Sequence, residues 1–152
     1  METSPSSPTQ SPPQSVPERE QNEKFKLNIL VADDERGFHD PLKMVLENEG
    51  HKVTVVENGD LLIKELEKPG ANFNLVIADN GMPEKKGIDA LREIRSSGKL
   101  FNDIPVVVFT GDNNDDGKIQ KDVEALGAVY VAKPFFANLF KAVEKIMEEK
   151  KK

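Results

Sequence analysis

Residues 75–87 read LVIADNGMPEKKG: four apolar side chains run straight into an aspartate, and the chain then turns at Asn80-Gly81 without making a hairpin. Residues 27–35, LNILVADDE, repeat the pattern with two aspartates. A carboxylate at the end of a buried strand is unfavourable unless something there neutralises it. Two such strands call for one explanation.

Working outward from these stretches, the chain alternates. Short runs rich in Val and Ile predict strands at residues 27–32, 52–56, 74–78, 104–109 and 128–131. Several lack polar alternation, as strands covered on both faces do. Helical stripes lie between them: Leu42, Val45 and Leu46; Leu62, Ile63 and Leu66; Ile88, Leu91 and Ile94; Ile119, Val123 and Leu126. A fifth stripe, Leu139, Val143, Ile146 and Met147, leaves the lysines of residues 150–152 at a helix C-terminus, where positive charge is favoured. Gly50 and Gly127 stand where left-handed caps are expected after the first and fourth helices. Five strand–helix units predict an α/β fold, a parallel sheet with helices on both faces, with too few units to close a barrel. In such open sheets function gathers at the C-terminal strand ends, near the point where strand order reverses. If the first and third strands are neighbours, Asp33, Asp34 and Asp79 share one pocket.

Composition narrows the function classes. The chain has 152 residues, 32% charged and 37% hydrophobic, in the range of a soluble globular domain. A net charge of -6 argues against nucleic acid as a partner. No apolar stretch is long enough for membrane insertion, and the N-terminus lacks a secretory pattern, so a cytoplasmic protein is expected. The absence of cysteine removes disulfides, thiolate metal sites and a thiol nucleophile. Residues 1–24 hold half of the ten prolines, five serines, and only Met1 and Val16 as apolar side chains. They are expected to be a disordered extension, with one compact domain over residues 25–152.

Three like charges in one pocket oppose ionisation unless a positive charge sits among them. No basic residue adjoins them in sequence, so a divalent cation is the natural neutraliser, and an all-oxygen set suits Mg²⁺. Taken singly, Asp33 would be a helix cap, Asp34 a solvated side chain and Asp79 a turn residue; together at two strand ends they point to a site. Two more groups reach the same edge. Thr110 follows the fourth strand in VVVFTGD, and Lys133 follows the fifth in YVAKPF. A hydroxyl and an ammonium there suit a phosphoryl group, and a cis bond at Lys133–Pro134 would aim the ammonium inward.

In this order and spacing, Asp33-Asp34-Glu35, DNGMPEKKG at residues 79–87, Thr110 with a small residue after it, and Lys133-Pro134-Phe135 resemble the receiver domain of bacterial two-component response regulators. The resemblance implies a flavodoxin-like doubly wound sheet with strand order 2-1-3-4-5. It implies a signalling domain, not an enzyme in the ordinary sense, in a two-component or phosphorelay pathway; with one compact domain read along the chain, a stand-alone receiver is expected. Asp79 would be the phosphoacceptor, taking its group from a sensor histidine kinase or a histidine phosphotransfer protein. Asp33, Asp34, Asp79 and the backbone carbonyl of Gly81 would bind Mg²⁺; Thr110 and Lys133 would contact phosphoryl oxygens. Tyr130 would switch rotamer on activation, and the helix 4–strand 5–helix 5 face would meet a downstream protein. Two other classes are weaker: a receiver-fold interaction module that never takes phosphate, which the intact acidic set opposes, and a small Mg²⁺-dependent phosphatase. The latter needs a D-x-D at the first strand, and Asp33-Asp34-Glu35 lacks that spacing.

Some positions depart from the family pattern or imitate other sites. Gly81 offers no side chain at a position that tunes phosphoryl lifetime in the family. The first helix contains Gly37 and Pro41; a start near Arg36 with Pro41 in the first turn is expected, rather than a late start at Asp40. Residues 112–123, DNNDDGKIQKDV, imitate a calcium loop, but position twelve is Val123 and Glu124 falls one residue late. His39 and His51 have no partner at ligand spacing and are expected on the surface. Phe135 and Phe136 are expected to pack as core or to line the output face.

Overall fold

The computed structural model describes residues 26–111 and 117–151. Residues 1–24 and most of the acidic part of the calcium-loop imitation, residues 112–116, lie outside them. Five strands and five helices alternate: β1 (Asn28–Ala32), α1 (Arg36–Asn48), β2 (Lys52–Val56), α2 (Gly59–Glu67), β3 (Leu75–Ala78), α3 (Gly87–Arg95), β4 (Val106–Thr110), α4 (Lys118–Ala125), β5 (Val129–Ala132) and α5 (Phe136–Lys151). All strand pairs are parallel, and the sheet order is β2-β1-β3-β4-β5. Among the described residues no helix is long and apolar enough to cross a membrane.

The two-residue period of the strands builds both layers. Leu30, Ala32, Val76, Ala78, Val106 and Val108 face Leu62, Leu66, Leu91, Ile94 and Val123, which places α2, α3 and α4 on one side. Ile29, Val31, Leu75, Ile77, Val107 and Phe109 face Leu42, Leu46, Leu139, Val143 and Ile146, which places α1 and α5 on the other. β3 and β4 are buried at every residue, whereas the edge strands β2 and β5 are exposed in part. This explains why the central strands read as unbroken apolar runs.

Chain order reverses between β1 and β3, which pair from Ile29↔Leu75 to Ala32↔Ala78. The residues that follow Ala32 and Ala78 are Asp33 and Asp79. Gly50 and Gly127 have the positive φ of left-handed caps, 97° and 73°.

Two local expectations need correction. α1 does begin at Arg36, but Pro41 is its sixth residue, inside the helix rather than in its first turn. Proline there cannot donate to the Gly37 carbonyl, a defect costing about 3 kcal/mol. Full burial of Leu42 and Leu46, worth roughly 1.5–3 kcal/mol each, outweighs it. The histidines are not on the surface: His39 and His51 are 7% and 6% exposed. His51 is held inside because its Nδ1 accepts the Leu27 N–H at 3.1 Å; His39 lies on the face of α1 that carries Leu42 and Leu46.

Candidate functional site

The C-terminal edge of the sheet is built by backbone pairing. The Asp33 N–H donates to the Val56 carbonyl at 3.0 Å, and the Asp79 N–H to the Ala32 carbonyl at 2.9 Å. The Lys133 N–H donates to the Thr110 carbonyl at 3.0 Å, which draws Thr110 into β4 as its last residue rather than leaving it beyond the strand. Each side chain of interest therefore sits on, or one or two residues beyond, a strand whose position is set by its neighbours.

Asp33, Asp34 and Asp79 converge, with one carboxylate oxygen from each within 4.8 Å of the others. Asp33 and Asp79 are buried, and Asp34 is exposed. The Lys133 ammonium lies among them, 2.9 Å from Asp33 Oδ2 and 3.5 Å from Asp79 Oδ2, on a side chain only 5% exposed. The Lys133–Pro134 bond is cis. Burial raises the pKa of Asp33, opposed by hydrogen bonds from Lys133 and from the Glu35 N–H. Burial also works to lower the Lys133 pKa, but its hydrogen bonds to Asp33 and Glu35 and the charge of Asp79 together raise it. The lysine thus stays charged, and it is the internal counter-ion that adjacency in sequence did not reveal.

Four groups in this site had no assigned role in the sequence. Glu35 Oε1 lies 2.9 Å from the Lys133 ammonium. Phe38 places its ring 4.0 Å from the same ammonium and packs on Phe136, which contacts Phe109 edge-on at 5.3 Å. Phe136 is half-buried and packs against the core, whereas Phe135 is exposed. Asn80 is buried, and its Oδ1 accepts the Ile88 N–H at 2.9 Å, tying the end of β3 to the first turn of α3. Gly87, at the close of DNGMPEKKG, passes so near the Asp79 carbonyl that a Cβ would fall 2.3 Å from that oxygen.

Gly81 is exposed, and a Cβ there would stand 3.7 Å from Asp79 Oδ2, an ordinary contact distance. Tyr130 is half-buried on β5 opposite Val108, packed against the α2–α3–α4 layer. Among the described residues, three aspartates and Glu35 set four carboxylates against the Lys133 ammonium, a set with capacity for a hard cation bound through oxygen. A cavity of about 710 Å³ opens at the opposite edge, beside Phe73, Leu100 and Phe101, well away from these acids. Chemistry, not volume, marks the site.

The profile of the response regulator receiver domain matches residues 29–144. The chain belongs to the response regulator receiver family. Among curated relatives, this receiver is 36% identical over 111 residues to the transcriptional regulatory protein ResD of Bacillus subtilis, covering 72% of this chain and 43% of ResD. It is 33% identical over 94 residues to the autoinducer sensor kinase/phosphatase CqsS of Vibrio cholerae, covering 62% of this chain and 13% of CqsS. The chain therefore spans less than half the length of these relatives. Among solved structures, the receiver resembles response regulator TrrA of Thermotoga maritima in complex with Mg(2+)-BeF, at 30% identity and TM-score 0.66, covering 79% of this chain and 98% of that one. The chemotaxis regulator CheY4 of Vibrio cholerae shares the fold at 20% identity and TM-score 0.69, over 80% of this chain and 98% of CheY4. Receiver domains of this family serve two-component signalling, and this chain is one of them.

Proposed function

We propose that this receiver accepts a phosphoryl group on Asp79 from a phosphohistidine donor, a sensor histidine kinase or a histidine phosphotransfer protein, and passes the signal by protein–protein contact. One observation carries the reading: Asp79 meets Asp33 and Asp34 within 4.8 Å, with the Lys133 ammonium 3.5 Å from its Oδ2. A carboxylate is a weak nucleophile, so the site must supply alignment and charge neutralisation. Pairing of β3 with β1 fixes Asp79 for in-line attack, and the Asn80–Ile88 hydrogen bond keeps the following turn from moving. Lys133 and Thr110 contact the transferred oxygens, and the Phe38 ring keeps the ammonium partly desolvated, where its charge acts more strongly.

Asp33, Asp34, Asp79 and the Gly81 carbonyl are the groups that would hold Mg²⁺. When bound, that ion offsets charge on the transferred phosphoryl oxygens. The TrrA structure, a complex with Mg(2+)-BeF, supports this assignment by similarity. Tyr130 turns inward as Thr110 engages the phosphoryl group. The output face is that of α4, β5 and α5, where Val129 and Phe135 are 42% and 57% exposed. The receiver domain is assigned to residues 25–152, after an extension over residues 1–24, in a cytoplasmic pathway.

Intact-mass spectrometry after incubation with acetyl phosphate tests the reading. A single phosphoryl adduct that requires both Mg²⁺ and Asp79, and is lost in Asp79→Asn, is expected. A folded, Mg²⁺-binding protein that takes no adduct would instead be a phosphate-independent interaction module.

A further inference from the structure

We propose that Glu35 is a positioning residue that competes with the phosphoryl group for the Lys133 ammonium, and so restrains the rate at which Asp79 is phosphorylated. The inference rests on the function proposed above and concerns the regulation of that same site.

The ammonium has three N–H donors. Nζ lies 2.9 Å from Asp33 Oδ2 and 2.9 Å from Glu35 Oε1, both at the length of charge-assisted hydrogen bonds. Its distance to Asp79 Oδ2, 3.5 Å, is longer than a good hydrogen bond. The lysine is therefore drawn toward the turn between β1 and α1 and away from the phosphoacceptor. Asp33 is buried and Phe38 lies 4.0 Å from Nζ, so these two keep the ammonium in the pocket by themselves. The Glu35 side chain is 58% exposed and is not needed for that. Its contribution is a pull in the wrong direction for catalysis.

The reaction shows why this matters. With acetyl phosphate, an Asp79 carboxylate oxygen forms a bond to phosphorus, the bridging P–O bond breaks, and acetate leaves with its electron pair; no proton need move. Lys133 must turn a donor toward the phosphoryl oxygens during that step. Loss of the Glu35 carboxylate frees that donor and removes a negative charge near the path of a dianionic phosphodonor. It also removes one anchor of the ammonium, but Asp33 and Phe38 remain, so acceleration wins.

The test uses the full chain, saturating Mg²⁺ and acetyl phosphate, with adduct formation followed by intact mass in wild type, Glu35→Gln, Lys133→Met and the double variant. Glu35→Gln is expected to phosphorylate about fivefold faster, the scale of a partly exposed ion pair near 1 kcal/mol. In the Lys133→Met background the same substitution should gain less than about twofold, since the coupling runs through the lysine. A second readout needs no metal: in ¹⁵N spectra of the metal-free protein, the protected Lys133 ammonium resonance should shift or broaden in Glu35→Gln. An equal gain in both backgrounds would assign the effect to charge near the path alone and overturn the proposal. So would a slower Glu35→Gln or an unmoved ammonium resonance. Wild type that forms no adduct would remove the phosphoacceptor reading itself, an outcome distinct from adducts that form at equal rates.

Discussion

Gly87 and the Asp79 carbonyl are in such close approach that an ideal Cβ at residue 87 would lie 2.3 Å from the oxygen and 3.0 Å from the carbonyl carbon. The obstacle is backbone, which cannot swing aside as a side chain tip can. Gly87→Ala must therefore move either the start of α3 or the end of β3, and overpacking of this kind costs typically 1–3 kcal/mol. Because β3 is held between β1 and β4, the strain falls on the turn that carries Asp79 and Asn80. Gly87→Ala is expected to lower stability by about 2 kcal/mol in urea unfolding and to slow adduct formation in the fraction that remains folded. Unchanged stability and rate would mean the turn is softer than its packing indicates.

Mg²⁺ should stabilise the fold through Asp33, Asp34 and Asp79. Among the described residues, four carboxylates surround the Lys133 ammonium and leave the metal-free site over-negative, and a ligand that binds only the folded state adds stability by mass action. At a hundredfold excess over Kd the gain is about 2.7 kcal/mol, a rise in melting temperature on the order of 10 °C. Asp34→Asn provides the control, because Asp34 is exposed and its loss should leave the metal-free melting temperature nearly unchanged. The Mg²⁺-dependent rise should shrink by more than half in that variant. An equal rise in both proteins would place the ion elsewhere.

Gly81 leaves one side of the Asp79 carboxylate open. A Cβ at residue 81 would lie 3.7 Å from Asp79 Oδ2, close enough to shield it and far enough to fit without displacement. Gly81→Met should therefore lengthen the lifetime of the phosphoryl adduct several-fold by excluding attacking water, with little change in its rate of formation. Decay of the adduct after removal of acetyl phosphate measures this directly. A lifetime independent of the side chain would show that water arrives by another route.

Much of this was legible because it follows from repeated local patterns. β3 is buried at every residue and β1 at all but its first, so their apolar runs stand out, and the acids that follow them mark the site. What was illegible depends on contacts distant in sequence. Glu35 meets Lys133 across 98 positions, and no spacing rule connects them. Asn80 had a visible turn signal, but the Ile88 N–H that its side chain caps became evident only with the path of the turn. Pro41 is illegible in its true place because propensity excludes proline from a helix interior, whereas here the burial of Leu42 and Leu46 overrides propensity. Burial of the histidines is illegible for the converse reason: polarity alone points a histidine to solvent, and His51 instead has a backbone donor waiting inside.

That buried histidine gives the domain a defined response to acid. The His51 pKa is lowered from its ordinary value of 6.5, first by burial and then by the charge of Lys26, with Glu49 opposing. Protonation at Nδ1 would also destroy the acceptor for the Leu27 N–H at the entry to β1. The folded state therefore favours neutral His51, while the unfolded chain takes up its proton near pH 6.5. Above that pH the contribution of His51 is constant. As pH falls below it, the unfolded state binds a proton that the folded state refuses, and stability declines by up to about 1.4 kcal/mol per pH unit until the folded pKa is reached. His51→Asn isolates the effect, since its side-chain oxygen can accept the same N–H but does not titrate. Urea unfolding from pH 7.5 to 5 should show wild type losing stability relative to His51→Asn only below about pH 6.5. Curves that stay parallel through that window would mean His51 charges freely in place and the β1 entry tolerates it.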